Sequence, residues 1–241
     1  QEYIDTGYTE WGASGLAAVW AEENTRESIY NAFRRKETFA TTGSRIKVRF
    51  FGGFEIDDIF NQENPINYAY TNGVTMGSDL FQSENKIPQF MVWALRDLKR
   101  APLDRVQIIK GWTELSGKPH EKVYDVACAD GRRPDSKTKL CKDSRAKVNL
   151  NNCRISKNLG ADELKAVWQD PDFDPNLKAF YYVRVLENPT CRWSSWDAIK
   201  SGEIPRADLP ATIQERAWSS PIWYIPDNEG ITIGNILPDD I

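Results

Sequence analysis

One histidine, His120, serves all 241 residues of this chain, and that scarcity excludes more chemistry than any motif admits. Hydrolytic metal centres gather several histidines and carboxylates, and nucleophilic triads need an imidazole beside Ser or Cys, so no more than one such set can be assembled. His120 follows Pro119 in a predicted loop and reads as a solvated side chain rather than a ligand. A glycine-rich phosphate loop is missing. The cysteines at 128, 141, 153 and 191 form no Cys-x-x-Cys pair, and their spacing to His120 does not suit structural zinc. No run of about 18 apolar residues occurs, which excludes a transmembrane helix. No charged-then-apolar leader precedes Tyr3, so any signal peptide is expected outside these residues. Basic excess is missing too: 31 Lys and Arg against 35 Asp and Glu give −4, which argues against nucleic-acid and anionic-membrane partners. By itself the chain offers no catalytic set and no metal or cofactor site.

What is present is aromatic. Nine Trp, nine Tyr and ten Phe stand in short β-branched runs punctuated by Gly and Pro, while Leu-rich helical periodicity is scarce. The length allows one large or two small domains with an ample core. The fold class expected is mainly β, an antiparallel two-sheet β-sandwich of Ig-like type with one or two short helices inserted.

The chain is organised around residues 12–51. After a polar, aperiodic segment from Gln1 to Trp11, Leu16 to Ala21 reads as a strand. A helix follows with Asn24 as N-cap and Glu27 closing a capping box. Ile29 and Phe33 give it a narrow apolar edge, and Arg34, Arg35 and Lys36 suit its C-terminal dipole. Thr41-Thr42-Gly43-Ser44 reads as a turn into a strand whose Ile46, Val48 and Phe50 alternate with Lys47 and Arg49.

Downstream the signals repeat strand and turn. Gly52-Gly53 is expected to break the first strand at a bulge, and Asn72-Gly73 to turn a hairpin between Tyr70 and Val74. Phe90 to Leu95 reads as a central strand, apolar on both faces. Asp104 to Trp112, Lys122 to Cys128 and Phe180 to Leu186 read as further strands, the last with Tyr181, Val183 and Val185 on one side and Phe180, Tyr182 and Arg184 on the other. Pro221 to Tyr224 reads as a closing edge strand. Helices are expected over Asp162 to Gln169, stopped by Asp170-Pro171, and as a single turn over Trp196 to Lys200. Residues 129–152 read as a polar surface excursion with mixed charge.

The stretches GLAAVWAEENTRESIYNAFRRKETFATTGSRIKVRFFGG, VYDVAC, WQDPDFDP, AFYYVRVLENPTCRWSSWDA and ERAWSSPIWY, in that order, resemble the carboxy-terminal region of the bacterial domain-of-unknown-function family 3604. That family is related to the polymerase-and-histidinol-phosphatase (PHP) superfamily of metal-dependent hydrolases. The resemblance implies that residues 1–44 are the tail of a preceding PHP-like α/β domain, a strand-helix unit left over from its barrel, and that 45–241 are the β-sandwich. The alternative for 1–44 is an edge unit of a single domain. It also implies an N-terminal catalytic domain of the same protein as partner, holding divalent metals that activate water against an ester, usually of phosphate. The 241 residues would then be accessory to it and inactive alone.

Some residues suit the rim of such a site. Arg26, Thr41, Thr42 and Arg45 flank the organising helix, where hydroxyls and guanidinium groups bind phosphate or carboxylate; the alternative is turn formation and ion pairing. Glu22 and Glu23 are a candidate metal-binding or basic pair, against the alternative of an acidic first helical turn. The four cysteines allow three connectivities. A stapled excursion favours an oxidising, periplasmic or secreted setting and two disulfides, and Cys128–Cys141 with Cys153–Cys191 is the pairing favoured among the three. A second functional class remains open, an independent carbohydrate- or protein-binding module using exposed aromatics as stacking platforms. Its candidates are Trp193, Trp196, Trp218, Trp223 and Tyr224.

Overall fold

The computed structural model describes residues 10–83, 86–156 and 158–227, so most of the N-terminal polar segment lies outside the described residues. Mainly β is the outcome. In chain order the strands and helices are β1 Leu16–Val19, α1 Arg26–Arg34, β2 Thr38–Thr41, β3 Lys47–Gly53, a 3₁₀ turn Ile59–Asn61, α2 Pro65–Asn72, β4 Gly73–Thr75, β5 Asp79–Phe81 and β6 Gln89–Leu95. There follow β7 Leu103–Thr113, β8 Pro119–Cys128, β9 Val148–Asn149, β10 Arg154–Ile155, β11 Glu163–Gln169, β12 Ala179–Glu187 and β13 Thr190–Cys191. The chain then runs through α3 Trp193–Ser201, β14 Thr212–Ile213, β15 Arg216–Ser219 and β16 Ile222–Ile225.

An eight-stranded sheet runs β1-β2-β15-β12-β16-β5, with β7 pairing β12 and carrying β8 outside it. A four-stranded sheet runs β11-β6-β3-β4, and two small two-stranded pieces, β9 with β10 and β13 with β14, complete the strands described. Apart from the parallel β16–β5 pair, the pairings are antiparallel. The two large sheets share one core. Val48 and Phe50 of β3, Phe90, Val92 and Ala94 of β6, and Leu164 of β11 belong to the same buried cluster as Val106 and Ile108 of β7, Tyr181, Val183 and Val185 of β12, and Ile222 and Tyr224 of β16. Strand alternation does this, since every second residue enters the core. A satellite cluster of Phe51, Ile56, Ile59, Ala69 and Met91 lies on the opposite face of the smaller sheet beneath α2.

Several expectations are corrected. The cap of α1 is Thr25 and not Asn24: its hydroxyl accepts from Ser28 N at 3.2 Å, while the Ser28 hydroxyl accepts from Glu23 N at 3.1 Å, ahead of the cap, so the expected Asn24–Glu27 box does not form. Gly52 and Gly53 continue β3 rather than break it, because a side chain at Gly52 would meet the Phe90 ring at 3.2 Å. Asn72-Gly73 joins α2 to β4 instead of two strands. Asn64 caps α2 with Pro65 at its start, a helix-initiating pair that outranks the hairpin dipeptide. Residues 163–169 form β11, not a helix. Leu164, Val167 and Trp168 fit a helical face, but Leu164, Ala166 and Trp168 fit alternation equally, and pairing to β6 along the whole strand decides. The single turn expected at 196–200 is the nine-residue α3, closed by Gly202 at φ 76. β16 lies between β12 and β5 and is not an edge. His120 is in β8, not a loop.

The excursion carries few strands of its own and is held by disulfides Cys128–Cys141 and Cys153–Cys191, the second tying it to β13. No helix of the described residues is long and apolar enough to cross a membrane.

Candidate functional site

The organising stretch builds an open depression of about 500 Å³ lined by Trp20, Glu22, Arg35, Glu37, Arg49 and Tyr70, among others. Its geometry begins with the exit of α1. Lys36 adopts φ 58, and Glu37 N then bonds Ala32 O at 3.0 Å, turning the chain sharply into β2 and carrying the Glu37 side chain inward. Gly77, at φ 90, permits this, since a Cβ there would sit 2.3 Å from Lys36 O. Trp20 closes the other wall, its Nε1 donating to Val48 O at 2.8 Å.

Glu37 is the centre, with only 3 % of its side chain exposed. Burying a carboxylate costs several kcal/mol unless it is paired and hydrogen-bonded, as this one is. Tyr70 donates its hydroxyl to Oε1, Thr75 Oγ1 donates at 3.1 Å, and Arg49 and Arg35 lie 3.5 and 3.4 Å away. Arg35 also reaches Glu22 at 3.1 Å. The Arg49 guanidinium donates to Tyr70 Oη at 2.7 Å and lies 3.4 Å over the Trp20 ring, a cation–π contact. Burial first, then the hydrogen bond to Glu37, push the Tyr70 hydroxyl up to about 12, with Arg49 opposing. Tyr70 is therefore a standing donor at neutral pH and not an acid–base group. These bonds brace the exit of α1, α2 and β3 together.

The other nominated residues do not join this depression. Arg26 is exposed at the start of α1. Thr41 is buried and its hydroxyl accepts from Gly43 N at 3.1 Å within the turn, while the Thr42 hydroxyl accepts from Arg216 N at 2.9 Å and fastens the β2 end to β15. Arg45 donates its backbone N–H to Asp97 at 2.9 Å and lines a different depression with Arg96 and Arg100. Glu22, held by Arg35 and by the Ser28 hydroxyl at 3.1 Å, faces the depression, while Glu23 is exposed. His120 stacks on Trp112, with ring centroids 5.1 Å apart, and lies 2.6 Å from Glu114. No group of three or more His, Cys, Asp or Glu among the described residues is arranged to hold a metal ion.

Glu37, Arg49, Tyr70 and Thr75 escaped the sequence reading. They stand up to 38 residues apart, on the α1–β2 turn and on β3, α2 and β4, and no spacing motif links them. The one available signal was Glu37 itself, a charge at the helix exit followed at once by strand-forming residues.

Two further clusters are internal. Lys110 and Asp170 pair at 2.6 Å inside the core, joined by the Tyr181 hydroxyl at 2.8 Å. Asp104 and Asp125, both buried, anchor the excursion through Arg132 at 2.7 Å and Cys141 N at 2.6 Å.

One face of the organising stretch has no cover from the described residues. Tyr30 and Phe33 are 58 % and 51 % exposed and with Ile29 line a shallow apolar hollow on α1, whose only buried residue is Ala32. The apolar edge expected of α1 therefore turns Phe33 outward and not into the core. Beside α1, β1 is an edge of the eight-stranded sheet, with Leu16 43 % exposed.

The family model described as "Protein of unknown function (DUF3604)" matches residues 1–226. No curated protein and no solved structure matches the chain.

Proposed function

The chain belongs to the DUF3604 family, and from that premise we propose that it is the carboxy-terminal, β-sandwich region of a multidomain metal-dependent hydrolase of PHP type. Its role is to support a catalytic barrel carried elsewhere in the protein. In this reading residues 1–44 continue that barrel's last strand-helix unit, and the barrel holds the divalent metals. The observation that carries it is the face of α1 that the described residues leave uncovered, beside β1, an edge strand among them. A strand-helix unit must bury its apolar face against another layer, and here Tyr30 and Phe33 instead face outward. Two sheets with a common core are the arrangement a sandwich needs. Two disulfides support an oxidising, periplasmic or extracellular setting.

The test compares this chain with a polypeptide that also carries the upstream catalytic region. Amide exchange along α1 should slow in the longer protein, and Tyr30→Ser with Phe33→Ser should reverse that protection. The same pair should move the urea midpoint of the 241-residue chain by less than about 1 kcal/mol equivalent, as expected of surface sites. Equal exchange of α1 in both proteins would overturn the docking. Phosphoester turnover by the 241 residues alone, stopped by a chelator and restored by Mn²⁺ or Zn²⁺, would overturn the accessory role.

A further inference from the structure

The outer face of the eight-stranded sheet carries a transverse row that can be read directly from the strand register. Glu121 of β8 pairs with Gly111 of β7, Gly111 with Phe180 of β12, Phe180 with Trp223 of β16, and Trp223 with Asp79 of β5. The neighbours Tyr181, Tyr224 and Leu80 are buried in the common core, so alternation turns Phe180, Trp223 and Asp79 outward.

Gly111 explains how the Phe180 ring lies. A Cβ there would lie 2.2 Å from Phe180 Cζ and 2.4 Å from Cε1, so the Phe180 ring lies down across the glycine and offers its other face outward. Tyr182, two residues along β12, holds its ring within 16° of the Phe180 plane, with centroids 6.4 Å apart. Trp223 stands 5.1 Å from Phe180, tilted 49° to its plane, and is 45 % exposed, so the platform bends at its β16 side. Beyond it Phe81, 53 % exposed, extends the apolar strip along β5. Three adjoining rings thus form a platform on a sheet rather than on a mobile loop, and exposed carboxylates, Asp79 and Glu121, close both ends. Glu121 reaches the platform electrostatically, adding to burial in raising the Tyr182 hydroxyl above its ordinary range.

We propose that this platform binds a neutral oligosaccharide. The complementarity is one of charge as well as shape. The π-face of an aromatic ring is negative and attracts the weakly positive C–H face of a pyranose. The carboxylates at either end are acceptor-only groups that match hydroxyl donors. The transverse row from Glu121 to Asp79 carries two carboxylates, and Arg184, beyond Tyr182 on the same face of β12, donates to Gln107 at 2.7 Å, so phosphate, sulfate and uronate ligands along the row meet repulsion from Asp79 and Glu121. Trp223 was a candidate from the sequence alone, but Phe180, Tyr182 and the acidic ends emerge only from the register. The inference does not depend on what covers α1, which lies at the β1 end of the sheet.

Affinity electrophoresis in gels containing hydroxyethylcellulose, lichenan, arabinoxylan, galactomannan or soluble starch tests it, with tryptophan fluorescence titration against the polysaccharide that retards the chain. At least one neutral polysaccharide should retard migration. Trp223→Ala should weaken binding about tenfold or more, the scale of losing one stacked ring. Glu121→Gln should weaken it less, and Trp196→Ala, a half-exposed tryptophan on α3, should leave it unchanged. Retardation by none of the five would overturn the proposal, as would retardation that Trp223→Ala does not reduce. A self-association that Trp223→Ala abolishes, without polysaccharide binding, would also overturn it and assign the face to a second copy of the chain.

Discussion

Glu187 and Glu37 are the same residue type with opposite fates. Glu37 is surrounded by two guanidinium groups and two hydroxyls. Glu187, on the last turn of β12 into the loop, is fully buried, and neither carboxylate oxygen makes a hydrogen bond of good geometry. Burial first, with the charges of Glu215 and Asp97 adding, raises its carboxyl to about 7, while Ser44 and Arg100 only moderate the shift. The sign follows from linkage. A folded value above the unfolded 4.5 means that stability is fully present below pH 4.5 and falls as pH rises toward 7, because the folded state must then ionise a buried group. That span corresponds to roughly 3 kcal/mol. Glu187→Gln should therefore be more stable than wild type above neutrality and should flatten this part of the profile; urea midpoints from about pH 4 to about pH 8 read both. A wild-type profile that rises across this window would contradict the assignment. Neither glutamate's environment was legible in the sequence, because partners of buried charges come from other strands.

At the scale of elements, β12 and the first half of β3 were legible, since Ile46, Val48 and Phe50, and then Tyr181, Val183 and Val185, alternate and all are buried, while the end of β3 at Gly52-Gly53 was not. α1 was legible as a helix but not in its orientation. Ile29 and Phe33 define an apolar edge whichever way it faces, and only the sheet decides that Ala32 points in. Gly73 shows how a turn signal misleads. It stands in the left-handed region of no turn; rather, a Cβ would sit 2.5 Å from Gly52 O and 3.2 Å from Ala69 O, both backbone atoms that cannot rotate aside. Gly73→Ala should accordingly cost about 1–3 kcal/mol, the range for overpacking, although Ala is the better helix and strand former. A loss under about 0.5 kcal/mol by chemical denaturation would mean that the α2–β4 joint yields easily.

For the whole molecule the disulfides matter most where the core is thin. The Cys128–Cys141 bridge spans 13 residues and Cys153–Cys191 spans 38. In the loop-entropy picture they restrict the unfolded chain by about 3 and about 4 kcal/mol. Unreduced protein should run about 4 Da below its fully reduced mass, as two S–S bonds require. Cys153→Ser with Cys191→Ser should lower the denaturation midpoint more than Cys128→Ser with Cys141→Ser. The reverse order would place the excursion's main anchor in the Asp104–Arg132 and Asp125–Cys141 contacts instead.

Composition and alternation by themselves determined a mainly β chain with a large aromatic core, a polar excursion spanned by cysteines, and an acidic net charge. Those properties depend on residues near in sequence, whose periods of two or 3.6 are local geometry. Tertiary structure decided that residues 163–169 are a strand, because their apolar residues satisfy both periods and only hydrogen bonding to β6 separates them. It decided the Glu37 depression and the outer aromatic row in the same way. The depression brings β3, α2 and β4 to the α1–β2 turn, and the row crosses five strands whose register no local pattern encodes.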